Sequence, residues 1–283
     1  VNWSARRAAF RALLAAPHCV HPASVYDPIS ARIAEDIGFE LGMFAGSTGS
    51  LTVLGAPDLI VLTLTEFAAQ ALRINRAGNL PLLVDADHGY GGVLNVKRTV
   101  EELETAGVAG LTIEDTVLPQ SFGEAQVRLI PIAEGVAKMR AALAGRGDPS
   151  LVVAGRTSAV AVTGVEDAIN RTCAYQEAGV DAIFLAGISR RDQLDAIAEK
   201  ITIPLILGGT SAELMDRAYL VARGVRVCLQ GHQPVMAAYQ AVQTTLQALR
   251  DGTPPAELAG LPSKEMMQRV TRETDYRAWL AAG

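Results

Sequence analysis

The chain has 283 residues, 49% of them hydrophobic and 19% charged, with a net charge of −5 at pH 7. An acidic balance with no basic stretch argues against nucleic acid as a partner, and apolar runs this short do not span a membrane. The three cysteines, Cys19, Cys173 and Cys228, are odd in number and far apart, with neither a metal-ligand spacing nor a disulfide framework, which fits a reducing cytoplasm.

The N-terminal stretch VNWSARRAAFRALLAAPHCV has the arginines and apolar run of a signal peptide. Arg11 interrupts that run, and the apolar spacing fits an amphipathic helix over 4–15 better. Strand-like runs then alternate with helical patterns. The expected strands are Cys19–Ser24, Leu41–Gly46, Leu82–Asp85, Ala109–Glu114, Leu151–Arg156, Ala182–Ala186, Pro204–Gly208 and Arg226–Gln230. The expected helices cover 28–37, 65–77, 93–106, 133–144, 165–178, 190–199, 211–222 and 233–250. Gly38, Gly107, Gly179 and Gly224 follow helix ends, where glycine supplies the left-handed cap. Cys19 and Cys228 sit in apolar strand runs and read as small core residues.

Eight strand–helix alternations make a parallel sheet, and the count and the length match a (β/α)₈ barrel. A doubly wound open sheet is the alternative, but it needs a Gly-rich first turn for a nucleotide, and VHPASVYDP is not one. Thr253-Pro254-Pro255 marks a break, and 262–280 reads as a helical tail suited to a neighbouring subunit. The expected organisation is one barrel domain over 1–283, with 252–283 as a C-terminal extension.

In such a barrel the strand C-termini deliver the chemistry. The third strand, in PLLVDADHGYGG, delivers Asp85 and Asp87; residues two apart on a strand share a face if the strand continues that far. Two carboxylates there suit a divalent cation such as Mg²⁺, or are loop acids with one capping the next helix. The second strand delivers Ser47, either a carboxylate-binding hydroxyl or a simple turn residue, and Asp58 follows on a long loop. The fourth delivers Glu114 and Asp115, one facing the barrel mouth and the other in an ion pair or cap. The fifth delivers Arg156, whose buried charge needs either a neighbouring acid or a substrate carboxylate. After the last strand, His232 is a helix cap, a core histidine, a donor to a substrate oxygen or an acid. His18 and His21 read as structural, and His88 as a neighbour behind the acids.

Together these residues resemble the isocitrate lyase/phosphoenolpyruvate mutase superfamily over roughly 5–250. The motifs are VDADHGYGG, GAPDLIVLTLTEF, LTIED and VVAGRTSAV, in that order. The resemblance implies a (β/α)₈ barrel with Mg²⁺, for which Mn²⁺ can substitute, in a homotetramer of dimers that exchange their last helices. It makes Asp85 the direct metal ligand, with Asp58, Asp87 and Glu114 holding the metal's water, and gives Ser47 and Arg156 the substrate carboxylate.

The chain also departs from the superfamily. Its lyases carry K-K-C-G-H, or a close variant, on a loop soon after the I-E-D motif. Here that stretch is Val117-Leu118-Pro119-Gln120-Ser121-Phe122-Gly123-Glu124, with no cysteine, lysine or histidine. This argues against isocitrate or methylisocitrate cleavage. The Phe122-Gly123 loop, the histidine in DADHGYG and His232 resemble the oxaloacetate decarboxylase branch. The implied activity is Mg²⁺-dependent decarboxylation of oxaloacetate to pyruvate and CO₂ through an enolate, with Arg156 and His232 as catalytic and substrate-binding residues. Alternatives are a carbon–carbon lyase or phosphonate mutase or hydrolase on a related acid, or a non-catalytic barrel that binds Mg²⁺ and a dicarboxylate.

Overall fold

Strand and helix alternate as the apolar pattern dictates. In the computed structural model, which describes residues 3–282 apart from Ser121, Ala125 and Thr210, α1 (Ser4–Ala15) leads to β1 (Ala23–Ser24), α2 (Pro28–Ile37) and β2 (Gly42–Phe44). A short α3 (Gly46–Gly49) and one π turn over Ser50–Leu54 precede α4 (Leu64–Ala77). Then come β3 (Leu82–Asp85), α5 (Val93–Thr105), β4 (Gly110–Glu114), α6 (Ile132–Gly145) and β5 (Val152–Thr157). The second half adds α7 (Ala159–Val162), α8 (Val165–Ala178), β6 (Ala182–Leu185), α9 (Arg191–Ala198) and β7 (Leu205–Leu207). The chain continues through α10 (Arg217–Ala222), β8 (Val225–Cys228), α11 (Gln233–Arg250), α12 (Lys264–Thr271) and α13 (Glu273–Ala282).

The eight strands run parallel in sequence order, and a parallel bridge between Val20 and Val227 joins the first strand segment to the last. The architecture is the expected (β/α)₈ barrel. Side chains alternate across each strand, so two apolar layers form. Met43, Leu83, Ala154, Phe184, Ile206 and Val227 fill the barrel interior. Leu82, Val84, Leu111, Ile113 and Val153 pack outward against the helices. Helix α1 adds Phe10, Leu13 and Leu14 to the interior layer. Gly110 makes room for this plug, since a Cβ there would sit 2.5 Å from the Phe10 ring.

Local signals explain the helix ends. Asp27 caps α2 by accepting from the Ser30 amide at 2.6 Å, and Pro28 begins the first turn. The four glycines expected after helices all have positive φ. Three expectations need correction. The first strand is two residues plus the Val20 bridge, because Pro22 cannot donate to a ladder. The helix expected over 211–222 starts at Arg217, where Asp216 caps it, after a 3₁₀ turn at Ala212–Leu214. The residues after β2 turn into helix at once instead of running as a loop.

The C-terminal tail docks first on its own chain: Val270 is buried, and Arg272 bonds both Asp36 oxygens at 2.7 and 2.8 Å. In contrast, α11 buries only Val235 among its residues. Tyr239, Val242, Leu246 and Leu249 form an exposed apolar stripe on it. Among the described residues, no helix is long and apolar enough to cross a membrane.

Candidate active site

The strand C-termini surround a cavity of about 510 Å³. Asp58, Asp85, Asp87, Glu114 and Arg156 line it, with the β4–α6 connection contributing Val117, Leu118, Pro119, Gln120, Gln126 and Val127. Five of the seven residues singled out from the sequence therefore meet on one cavity. Of the other two, Ser47 follows Gly46, which lies against the Asp87 carboxylate. His232 feels the charges of Asp85 and Asp58. A second cavity, of about 540 Å³, lies beside α2, lined by Ile29, Ile33, Ile37 and Phe39, and lacks the acid cluster.

Asp85 is the most constrained of the acids. Its Oδ1 accepts from the Thr112 hydroxyl at 2.9 Å and from the Asp87 amide at 3.2 Å. Its Oδ2 accepts from Arg156 Nη1. Asp87 reaches the cavity differently from the expected strand face. β3 stops at Asp85, and Asp87 turns in with φ 48°. This left-handed backbone costs of order 1–3 kcal/mol for a non-glycine residue, and the surroundings hold it. Its carbonyl accepts from the Glu114 amide at 2.8 Å, and a Cβ on Gly46 would sit 2.7 Å from its Oδ1.

The paired acids of LTIED divide as the strand alternation requires. Glu114 faces the cavity. Asp115 is fully buried on the outer side, where it accepts from the Tyr175 hydroxyl at 2.8 Å and Arg171 at 3.1 Å. Arg156 is the register neighbour of Glu114 and stacks 5.3 Å from the Phe184 ring centre. Its Nε lies 3.3 Å from Glu114 Oε2, but the N–H is not aimed at that oxygen and has no hydrogen-bond acceptor among the described residues. A buried donor in the cavity wall is thus left for a ligand oxygen.

The electrostatics of the cluster are unbalanced. Burial first, and then the neighbouring acids, push the carboxyls of Asp58 and Asp87 above the usual range. Glu114 is raised to about 6 by burial, against the opposing charge of Arg156. Burial lowers the His232 imidazole, partly offset by Asp85 and Asp58. Four carboxylates face one guanidinium, an excess of acids that a divalent cation would offset. Carboxylate oxygens are hard donors suited to Mg²⁺. Among the described residues no three His, Cys, Asp or Glu side chains converge as direct ligands. The chemistry of the donor set, carboxylates with Asp85 at the centre, suits such an ion.

Two polar partners were not visible in the sequence reading. Thr112 is paired with Asp85 in register, so strand alignment alone could have found it. Ser24, buried at the end of β1, lies 2.8 Å from His232 Nδ1, and no sequence spacing signals that contact. His21 and His18 serve the scaffold: His21 Nδ1 is 2.7 Å from the Cys228 carbonyl, and His18 lies 3.6 Å from Glu40. Cys19 and Cys228 are buried as expected. Ser121, in the stretch where lyases carry their cysteine, lies outside the described residues.

A family model described as phosphoenolpyruvate phosphomutase matches residues 10–250. Oxaloacetate decarboxylase from Rhodopseudomonas palustris (strain BisA53) is 60% identical over 270 residues, covering 95% of this chain and 93% of that protein. Oxaloacetate decarboxylase from Bradyrhizobium sp. (strain BTAi1) is 58% identical, covering 98% and 96%. Among solved structures, oxaloacetate acetylhydrolase in complex with the inhibitor 3,3-difluorooxalacetate superposes with a TM-score of 0.87 at 28% identity, over 99% and 98% of the two chains. Phosphonopyruvate hydrolase in complex with oxalate and Mg²⁺ gives 0.85 at 29% identity, over 98% of each chain.

Proposed function

The chain belongs to the phosphoenolpyruvate phosphomutase family, and we propose that within it this protein decarboxylates oxaloacetate to pyruvate and CO₂. The observation that carries the reading is the cavity itself. An acid ring around one arginine is covered by a segment whose lining residues, from Val117 to Gln120 with Gln126 and Val127, include no nucleophile or titratable group. Such a site can stabilise charge that develops on a substrate. Relatives with 58–60% identity over nearly the whole chain carry the decarboxylase name, which supports the substrate.

In this reading Asp85 would hold a divalent cation, Mg²⁺ or Mn²⁺, directly, and Asp58, Asp87 and Glu114 would hold its water. When bound, the cation supplies Lewis acidity toward the negative charge that develops on the keto acid. Arg156 binds a carboxylate with the N–H that has no partner among the described residues, and Phe184 beneath it fixes the plane of the guanidinium. Ser47 hydrogen-bonds the same end of the substrate. Val117, Leu118, Pro119 and Val127 give one side of the cavity an apolar wall. The C3–C4 bond then breaks, its electrons pass into the enolate of pyruvate, and CO₂ departs. His232 donates to a ketone, enolate or carboxylate oxygen. A proton finally adds at C3.

The exposed stripe on α11 supports an assembly in which paired subunits exchange this helix and two pairs make a tetramer. An 18-residue helix that buries one residue on its own barrel lacks its packing partner. The unpaired cysteines fit a cytoplasmic enzyme.

The test follows oxaloacetate loss and pyruvate formation with and without Mg²⁺. It includes the Asp85→Ala protein, because free divalent metal decarboxylates oxaloacetate unaided. Turnover well above that background, and lost in the variant, is expected. Background-level loss in the unaltered protein would overturn the substrate assignment, and undiminished turnover by Asp85→Ala would overturn the metal site.

A further inference from the structure

His232 and Ser24 come from opposite ends of the barrel sequence and meet at its seam. Ser24 is buried, and the backbone on either side of it is pinned to β2: the Ala23 amide donates to Leu41 and the Val25 amide to Met43, both at 2.9 Å. His232 follows Gly231, whose φ of 86° turns the chain after β8. The Ser24 hydroxyl lies 2.8 Å from His232 Nδ1. The other ring nitrogen, Nε2, has no protein partner among the described residues.

A neutral imidazole carries one N–H, and the partner of one nitrogen decides what the other offers. If Nδ1 held the proton, it would donate to Ser24, and Nε2 would present a lone pair that repels an anionic ligand. With the proton on Nε2, the serine hydroxyl donates to Nδ1 and the Nε2–H is left to donate. The second arrangement is the one that serves an anionic ligand.

We propose that Ser24 is a positioning residue that holds His232 as the Nε2–H tautomer, so that the imidazole serves as a hydrogen-bond donor to a keto or carboxylate oxygen of the substrate. This rests on the reading of His232 as a substrate-contacting residue. A serine hydroxyl both donates and accepts, so Ser24 caps Nδ1 and an anionic ligand at Nε2 selects the Nε2–H form. The role of Ser24 is to fix the ring plane and cap Nδ1.

The experiment has two readouts. The first is kcat and KM for oxaloacetate with Mg²⁺ in Ser24→Ala, Ser24→Thr, His232→Gln and the Ser24→Ala/His232→Gln double variant. Ser24→Ala is expected to lose on the order of tenfold to a hundredfold, mainly in kcat, as for partners that orient a functional histidine. Ser24→Thr keeps the hydroxyl and recovers most of the loss. In the His232→Gln background, Ser24→Ala is expected to change little, by about twofold or less. Losses that multiply across the two positions would overturn the proposal. The second readout is ¹⁵N NMR of histidine-labelled protein with Mg²⁺ and oxalate bound, with the His232 signals identified by their absence in His232→Gln. An Nε2–H pattern that is lost in Ser24→Ala supports the tautomer, and an Nδ1–H pattern in the unaltered protein overturns it. An unaltered protein without oxaloacetate turnover would refute the substrate reading, while the NMR result still decides the role of Ser24.

Discussion

Arg156 on β5 reaches past β4 to bond Oδ2 of Asp85 on β3, while its Nε stays 3.3 Å from Glu114 without a hydrogen bond. One guanidinium therefore ties together two carboxylates and keeps a donor in reserve. A lysine would carry the charge but present a single compact ammonium. Arg156→Lys is expected to lower kcat/KM for oxaloacetate by about 10²- to 10³-fold, the cost of one donor aimed at developing charge. Steady-state kinetics check this; a loss of only about threefold would mean the arginine merely neutralises the acids.

Gly46 is small because Asp87 occupies the space a side chain would need. A Cβ there would stand 2.7 and 2.9 Å from the two Asp87 carboxylate oxygens. Gly46→Ala must displace the carboxylate while leaving the barrel intact. Divalent-ion affinity measured by calorimetry is expected to fall about tenfold, as when outer-shell partners are disturbed, with the melting temperature little changed. Unaltered affinity would remove Asp87 from the proposed metal environment.

The exposed stripe of α11 predicts the assembly. Val242 and Leu246 lie one turn apart on it and are 55% and 61% exposed. The double substitution Val242→Asp with Leu246→Asp puts two charges into the proposed contact. Sedimentation is expected to show a tetramer for the unaltered protein and smaller species for the variant. A monomer in the unaltered protein would contradict helix exchange.

At the opposite end of the barrel, Asp148 anchors α1. Its carboxylate accepts from Ser150 N at 2.9 Å, Ser150 Oγ at 2.5 Å and Arg7 Nη1 at 2.7 Å. Hydrogen bonds from Ser150 and then Arg7 hold its carboxyl well below the ordinary 3.8. A depressed folded-state pKa stabilises the protein above the unfolded value, and that stability is lost as pH falls below it. Asp148→Asn is therefore expected to melt at a lower temperature than the unaltered protein at pH 7, with the gap narrowing below about pH 4. A gap that does not change with pH would mean that packing, not charge, carries the effect.

The sites most legible in the sequence were those written along a single strand. The run LTIED shows that one of two adjacent acids faces the barrel mouth, and the structure assigns that position to Glu114 and the outer one to Asp115. The run VDADHGYGG shows that Asp85 ends a strand, and it does. Asp87 does not share the strand face of Asp85, because β3 stops two residues earlier, and a left-handed turn, invisible in the apolar pattern, brings that carboxylate in.

By itself the sequence determined the alternation of eight strands and helices, their caps, and the end of the barrel at which acids and an arginine gather. Those properties follow from local periodicity and from the conformational limits of glycine and proline. The tertiary structure alone decided which groups touch. Arg156 meets Asp85 across 71 residues, and His232 meets Ser24 across 208. Periodicity tells which side of a strand a residue faces, but the distance between two strand ends is set by closure of the barrel, which brings first and last strands together at Val20 and Val227.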